Sequence, residues 1–124
     1  MSKAAKPKIF LMRECPFCLK LRIFLSEASL DGEVEYVTFA SGDSTHQSVR
    51  DRMIEAGQKP SFPAAELQEG SLTTETDALI DHFASQAGVD PAAMPLLTYY
   101  TEGVFKRIFE MYHELAELKK KTQG

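Results

Sequence analysis

The sequence predicts an α/β fold in the order β-α-β-α-β-β-α, followed by an additional C-terminal amphipathic helix. Three features lead there. A short apolar strand pattern at Lys8 to Met12 gives way at once to a helix pattern. Glu69-Gly70 is a tight-turn signal between two short extended stretches, and apolar residues recur every three or four positions after Asp90-Pro91. The chain has 124 residues, 44% hydrophobic and 26% charged. That is enough for one buried core without metal or disulfide staples, and it excludes disorder as the default.

Taken in order, Lys8 to Met12 is an apolar run suited to burial on both faces, as in a parallel sheet. The helix that follows Cys15-Pro16 places Phe17, Leu21, Phe24 and Ala28 on one face. Asp31-Gly32 ends this unit, and Glu33 to Phe39 reads as the second strand. The first βαβ unit is therefore parallel and right-handed. Ser41 to Ser44 is a loop, and Thr45 to Ala56 is helical with Gly57 as its C-cap. Pro60 and Pro63 precede an extended stretch through Leu67, which pairs as a hairpin with Ser71 to Thr73. Glu75 to Ala87 is the third helix, stopped by Gly88. From Pro60 to Asp90 six acidic residues stand with no Lys or Arg, which reads as a solvated face.

After residue 90 the character changes, so residues 1–90 are expected to form the domain and 91–124 a linker and helical extension. Leu97, Tyr100, Val104, Ile108, Met111, Leu115 and Leu118 trace one apolar stripe, closed by Lys119 to Lys121 near the negative end of the helix dipole. A single helix cannot form a core alone. It is expected to fold back on the sheet or to form a homodimer interface.

Composition excludes several classes of function. A net charge of −4 argues against nucleic-acid binding. No apolar run approaches the roughly 18 residues of a membrane span. The basic start at Met1 to Lys8 is followed by only four apolar residues before Arg13 and Glu14, too few for a signal peptide, so a cytoplasmic location is expected. Two cysteines three residues apart rule out a disulfide scaffold and leave redox or metal chemistry open.

Cys15-Pro16-Phe17-Cys18 lies where a strand gives way to a helix. There Cys15 meets free backbone N–H groups and the positive end of the dipole, which stabilise a thiolate. Arg13 adds positive charge, Glu14 opposes it, and Pro16 suits a first helical turn. Cys18, one turn deeper and less exposed, is within disulfide reach, giving one attacking and one resolving sulfur. A pair of inert buried thiols is the plain alternative. Tetrahedral metal binding needs four ligands, and His46, His82 and His113 lack ligand spacing with the cysteines, so no metal is expected.

With these residues in place, the stretch from Ile9 to Ala87 resembles a glutaredoxin or the N-terminal, thioredoxin-fold domain of glutathione transferases. The run Cys15-Pro16-Phe17-Cys18-Leu19-Lys20-Leu21-Arg22 is similar to the larger, transferase-like bacterial glutaredoxins. Phe62-Pro63 resembles the family's cis-proline step, whose preceding residue pairs through its backbone with the cysteinyl part of glutathione. Glu75-Thr76 resembles the acidic-hydroxyl pair that holds the γ-glutamyl group, and Met94 to Thr98 the linker to a second domain.

The resemblance implies a thioredoxin-like fold and a glutathione-dependent thiol-disulfide oxidoreductase. Cys15 and Cys18 would be catalytic, with glutathione as co-substrate bound by Arg13, Phe17, Phe62, Pro63, Glu75 and Thr76. Arg13, Lys20 and Lys59 are the candidates for its glycine carboxylate. The implied partners are disulfide-containing or glutathionylated proteins. Two other readings stand beside this one. The first is a non-catalytic glutathione-binding module, including a dimer bridged by an iron–sulfur cluster through Cys15 and glutathione. The second is a truncated transferase-like protein, without conjugation of bulky electrophiles. Thr74-Glu75-Thr76-Asp77 also reads as a capping box, alone or together with ligand binding. Pro63 also reads as an ordinary trans proline at a strand start. The strand Ala64 to Leu67 is less apolar than the family's usual one, so weak pairing is expected there.

Overall fold

The computed structural model describes residues 6–123; the basic start at residues 1–5 lies outside them. A four-stranded mixed sheet forms the centre, in the order β2-β1-β3-β4. Strand β1 (Lys8–Met12) runs parallel to β2 (Glu35–Phe39), with Phe10 opposite Val37. Strand β3 (Ala64–Gln68) lies antiparallel to β1 on one side and to β4 (Ser71–Thr73) on the other. As expected, its pairing is the less regular one: three residue pairs join it to β1, against five between β1 and β2, and the β3–β4 ladder has a register shift between Ala65 and Gln68. Ala64 and Ala65 are fully buried between two partner strands, where small side chains let helices approach the sheet from both faces.

Alternation along β1 divides the core. Ile9 and Leu11 point to one face, where they meet Leu21, Phe24 and Leu25 of α1 (Pro16–Glu27) and Leu79, Ile80 and Phe83 of α3 (Thr76–Ala87). Phe10 points to the other face, against Val49 and Met53 of α2 (Ser44–Glu55). The element order and the hairpin at Glu69-Gly70 are therefore as the sequence predicts, with β2 starting two residues later, after a 3₁₀ turn at Asp31–Glu33. Gly57 and Gly88 adopt φ of +77° and +67° just past their helices, the left-handed region that favours glycine.

The buried face of α1 differs from the expected one. Cys18, Leu21, Phe24 and Leu25 are buried, while Phe17 and Ala28 are only half-buried. Phe17 instead turns its ring toward the C-terminal extension, 5.1 Å from Phe105 and 6.2 Å from Phe109.

The extension is not one regular helix. Helix α4 (Pro95–Tyr100) passes through a π-helical turn at Thr101–Phe105 into α5 (Lys106–Gln123). The carboxylate of Glu27, at the end of α1, accepts the N–H groups of Leu96 and Leu97 at 2.9 and 2.8 Å, satisfying two free donors at the start of α4. Leu97 and Tyr100 are buried against α1, so the extension docks on a helix and not on the sheet. From the π turn onward the expected stripe is largely uncovered: Val104, Met111, Leu115 and Leu118 are each about half exposed or more. Among the described residues, no helix is long and apolar enough to cross a membrane.

Candidate functional site

Strand β1 ends at Met12, and the chain turns through Arg13 and Glu14 into α1. The Arg13 N–H donates to the Phe39 carbonyl at 2.8 Å, and Glu14 turns its carboxylate to the Ser41 N–H at 2.9 Å. Both contacts tie the turn to the end of β2. Cys15 is the N-cap of α1, with extended backbone and Pro16 as the first helical residue. Its sulfur accepts the Cys18 N–H at 3.3 Å, so a thiol side chain takes the place that Ser or Asp ordinarily fills.

The two sulfurs have opposite environments. A hydrogen bond from the Cys18 thiol, aided by the Cys18 and Phe17 backbone N–H groups against the cost of burial, lowers the Cys15 pKa from 9.0 to about 6. Cys18 moves the other way. Its hydrogen bond to Cys15, its burial and the negative charge of Cys15 all raise its pKa. Cys18 is 2% exposed and its sulfur accepts the Met12 N–H at 3.4 Å. Both cysteines are free thiols. The two sulfurs are thus set apart: Cys15 is half-buried with its pKa lowered, and Cys18 is buried with its pKa raised.

The Phe62-Pro63 peptide bond is cis, so the trans alternative for Pro63 is excluded. The Phe62 carbonyl stands 3.8 Å from the Cys15 sulfur, which brings two loops 47 residues apart to one point. The ring of Phe62 packs edge-on against Phe39 at 5.1 Å and against His46 at 5.5 Å. His46 in turn accepts the Gly42 N–H through Nδ1 at 2.8 Å and stacks on Phe39. It is thus a support behind the cis-proline loop, a role that ligand spacing in the sequence could not disclose.

Two clefts flank the Cys15–Cys18 turn. The first, about 340 Å³, is lined by Arg13, Cys15, Pro16, Tyr100, Val104 and Ile108, among others. The second, about 380 Å³, lies on the other side and is lined by Phe17, Lys20, Glu75, Thr76, Phe105 and Phe109, among others. The predicted site residues are thereby split. Arg13 shares a cleft with Cys15, while Phe17, Glu75 and Thr76 share the other. Lys20 is paired with Asp77 at 2.9 Å, and Lys59 is exposed and lines neither cleft.

Glu75 is the N-cap of α3, yet its side chain makes no capping bond and its φ is +80°. The capping-box reading of Thr74 to Asp77 is therefore overturned. A non-glycine residue held in this region costs about 1–3 kcal/mol, and such strain is characteristically kept where a side chain has other work. Thr101, which lines the same cleft, has a buried hydroxyl oxygen with no hydrogen-bond partner among the described residues. Tyr100 was missed by sequence reasoning, which saw only a stripe residue. Its hydroxyl donates to the Pro16 carbonyl at 2.7 Å, and burial with the nearby Cys15 and Cys18 charges pushes its pKa up to about 12. Among the described residues, no group of three or more His, Cys, Asp or Glu could hold a metal ion.

A mixed sheet covered on both faces, a thiol N-cap and an adjoining cis-proline together define a thioredoxin-like domain. Within that class the family is shown by sequence. The chain belongs to the glutathione S-transferase N-terminal domain family, whose model matches residues 9–91. Among solved structures, a glutathione transferase homolog from Sulfitobacter with bound glutathione matches with 21% identity and a TM-score of 0.47, over 73% of this chain. The matched part is 44% of that protein's chain. No curated protein matches.

Proposed function

We propose that the protein is a glutathione-dependent thiol-disulfide oxidoreductase, with Cys15 as nucleophile and Cys18 as resolving thiol. The observation that carries this reading is the Cys15 sulfur, held as N-cap of α1 with a pKa lowered to about 6 and set 3.8 Å from the cis-proline loop. With a glutathionylated protein, the Cys15 thiolate attacks the glutathione sulfur. A Cys15–glutathione disulfide forms, the substrate's own disulfide breaks, and the substrate leaves as a thiolate that takes up a proton. A second glutathione thiolate then attacks the bound glutathione sulfur. Glutathione disulfide departs and the Cys15 thiolate is restored.

With a protein disulfide, Cys15 first forms a mixed disulfide with the substrate. Its negative charge is then gone, and with it the two effects of Cys15 that hold the Cys18 proton. Cys18 loses that proton and attacks the Cys15 sulfur, which releases the reduced substrate and leaves a Cys15–Cys18 disulfide. Two glutathione molecules reduce it and depart as glutathione disulfide.

For glutathione itself, the strained Glu75 and the start of α3 support a place for the γ-glutamyl group in the second cleft. The N–H groups there suit its carboxylate, and Glu75 suits its ammonium. The Phe62 backbone, beside the cis Pro63, is assigned to the cysteinyl part. Arg13 lines the Cys15 cleft and not the Glu75 cleft, and is retained as a candidate cation for glutathione on that side.

The test is the rate of Cys15 alkylation as a function of pH, with and without glutathione. The attacking form is the thiolate, so the rate should be lost as pH falls through about 6 and level above it. Glutathione should protect the thiol. A midpoint near the ordinary ~8.5 of a free cysteine, with no protection, would sink the proposal.

A further inference from the structure

Four charged residues line the second cleft: Lys20, Glu75, Asp77 and Lys106. Two of them satisfy each other, with Lys20 Nζ 2.9 Å from Asp77 Oδ1 and 5.0 Å from the centre of the Phe105 ring. The other two are opposite in sign, and neither side chain has an ion-pair partner among the described residues. Glu75 comes from the start of α3, and Lys106 is the first residue of α5. The rings of Phe17, Phe105 and Phe109 make the apolar part of the wall. Thr101, in the same wall, is a further polar group that the protein leaves unsatisfied. One unpaired carboxylate and one unpaired ammonium beside apolar rings fit a group that carries both charges, since each then meets its opposite. An α-amino-acid end is such a group. A carboxylic acid or an amine alone would leave Glu75 or Lys106 without a partner.

We propose that Lys106 is a specificity-determining residue for glutathione: its ammonium takes the α-carboxylate of the γ-glutamyl end while Glu75 takes the amino group. The zwitterion is thereby held between the domain and the extension. The inference rests on the proposed place of the γ-glutamyl group in this cleft, and it adds the residue of the extension that selects for it. The N–H groups at the start of α3 meet the carboxylate from one side, and Lys106 supplies the positive charge from the other. Lys20 is already held by Asp77, so the assignment falls on Lys106. The thiol favoured as reductant is one with an α-amino-acid end, over a thiol without one such as 2-mercaptoethanol.

The probes are S-methylglutathione, which keeps these charges and cannot exchange disulfides, and its analogue with the glutamyl α-carboxylate converted to an amide. Each is titrated calorimetrically into the wild type and Lys106→Met. Lys106 is exposed, so Lys106→Met should weaken S-methylglutathione by roughly fivefold, the upper end for an exposed ion pair. Affinity for the amide analogue should not change between the two proteins. Lys106→Arg should restore most of the lost affinity. Equal binding of S-methylglutathione to wild type and Lys106→Met overturns this inference and leaves the glutathione reading standing. An equal loss for both probes does the same, since it marks a packing effect and not a carboxylate contact. No binding of S-methylglutathione by the wild type at millimolar concentration removes the inference and the glutathione reading together. Should Lys106→Met fail to fold, Lys106→Gln repeats the titrations with the same outcomes.

Discussion

The two clefts beside the Cys15–Cys18 turn are both walled by α1 and the extension, through different residues. On the Cys15 side the extension contributes Tyr100, Val104 and Ile108, and the reactive sulfur lies at the edge of an apolar surface. On the other side it contributes Thr101, Phe105 and Phe109, and these face the ionic groups Lys20, Glu75 and Asp77. Adjacent residues of the extension thus alternate between the cleft that holds Cys15 and the cleft that holds Glu75. Under the proposed function this difference predicts that reactivity and recognition are separable: the sulfur's lowered pKa comes from contacts within α1 and its cap, while the strained Glu75 belongs to the start of α3.

That separation can be broken most strongly from the Cys15 side. Cys15→Ser should reduce glutathione-coupled disulfide turnover to the uncatalysed background, while calorimetry still detects glutathione binding. Loss of binding together with turnover would show that the clefts act as one. A smaller effect is expected across the turn. Glu75→Gln removes a charged partner for an ammonium group and should raise the KM for glutathione by roughly tenfold, as for a hydrogen bond to a charged group. The Cys15 alkylation midpoint should not move, and a shifted midpoint would contradict the separation. The smallest effect belongs to Lys20→Met. The Lys20–Asp77 pair is largely exposed on the Asp77 side, so its loss should cost less than about 1 kcal/mol in urea unfolding and change KM by less than about threefold. A larger change in KM would assign Lys20 to glutathione itself.

Local signals in the chain were sufficient wherever one segment determines its own structure. The β1 run, the Glu69-Gly70 turn and the glycine stop of α3 each depend on neighbouring residues, and each stands as the sequence predicts. The Cys15-Pro16 start of α1 was legible for the same reason, since a cap and a first-turn proline act within four residues. Contacts across the fold were not legible. Tyr100 and Pro16 are 84 residues apart, and nothing in an apolar stripe marks which member carries a hydroxyl to a distant carbonyl. The capping box at Thr74 to Asp77 had the right residue types, yet the backbone of Glu75 turns to φ +80° and takes its side chain out of capping. Phe17 matched the helix period but meets Phe105 across the turn, because partner position decides which face is buried.

The π turn at Thr101–Phe105 has a consequence for how this surface can change. Leu97 and Tyr100 lie on the docked face before it; from its last residue on, Phe105 and Phe109 take the side that meets Phe17, one position later than Val104 and Ile108 in the regular pattern. One residue of phase therefore sets the angular position of everything downstream, like a tooth gained on a gear. Removing one residue from this turn would rotate both cleft walls by about 100° together. Side-chain replacements adjust either wall singly, whereas a one-residue deletion here would turn Phe105 and Phe109 to the Cys15 side and put Lys106 and Glu110 in their places on the Glu75 side in a single step.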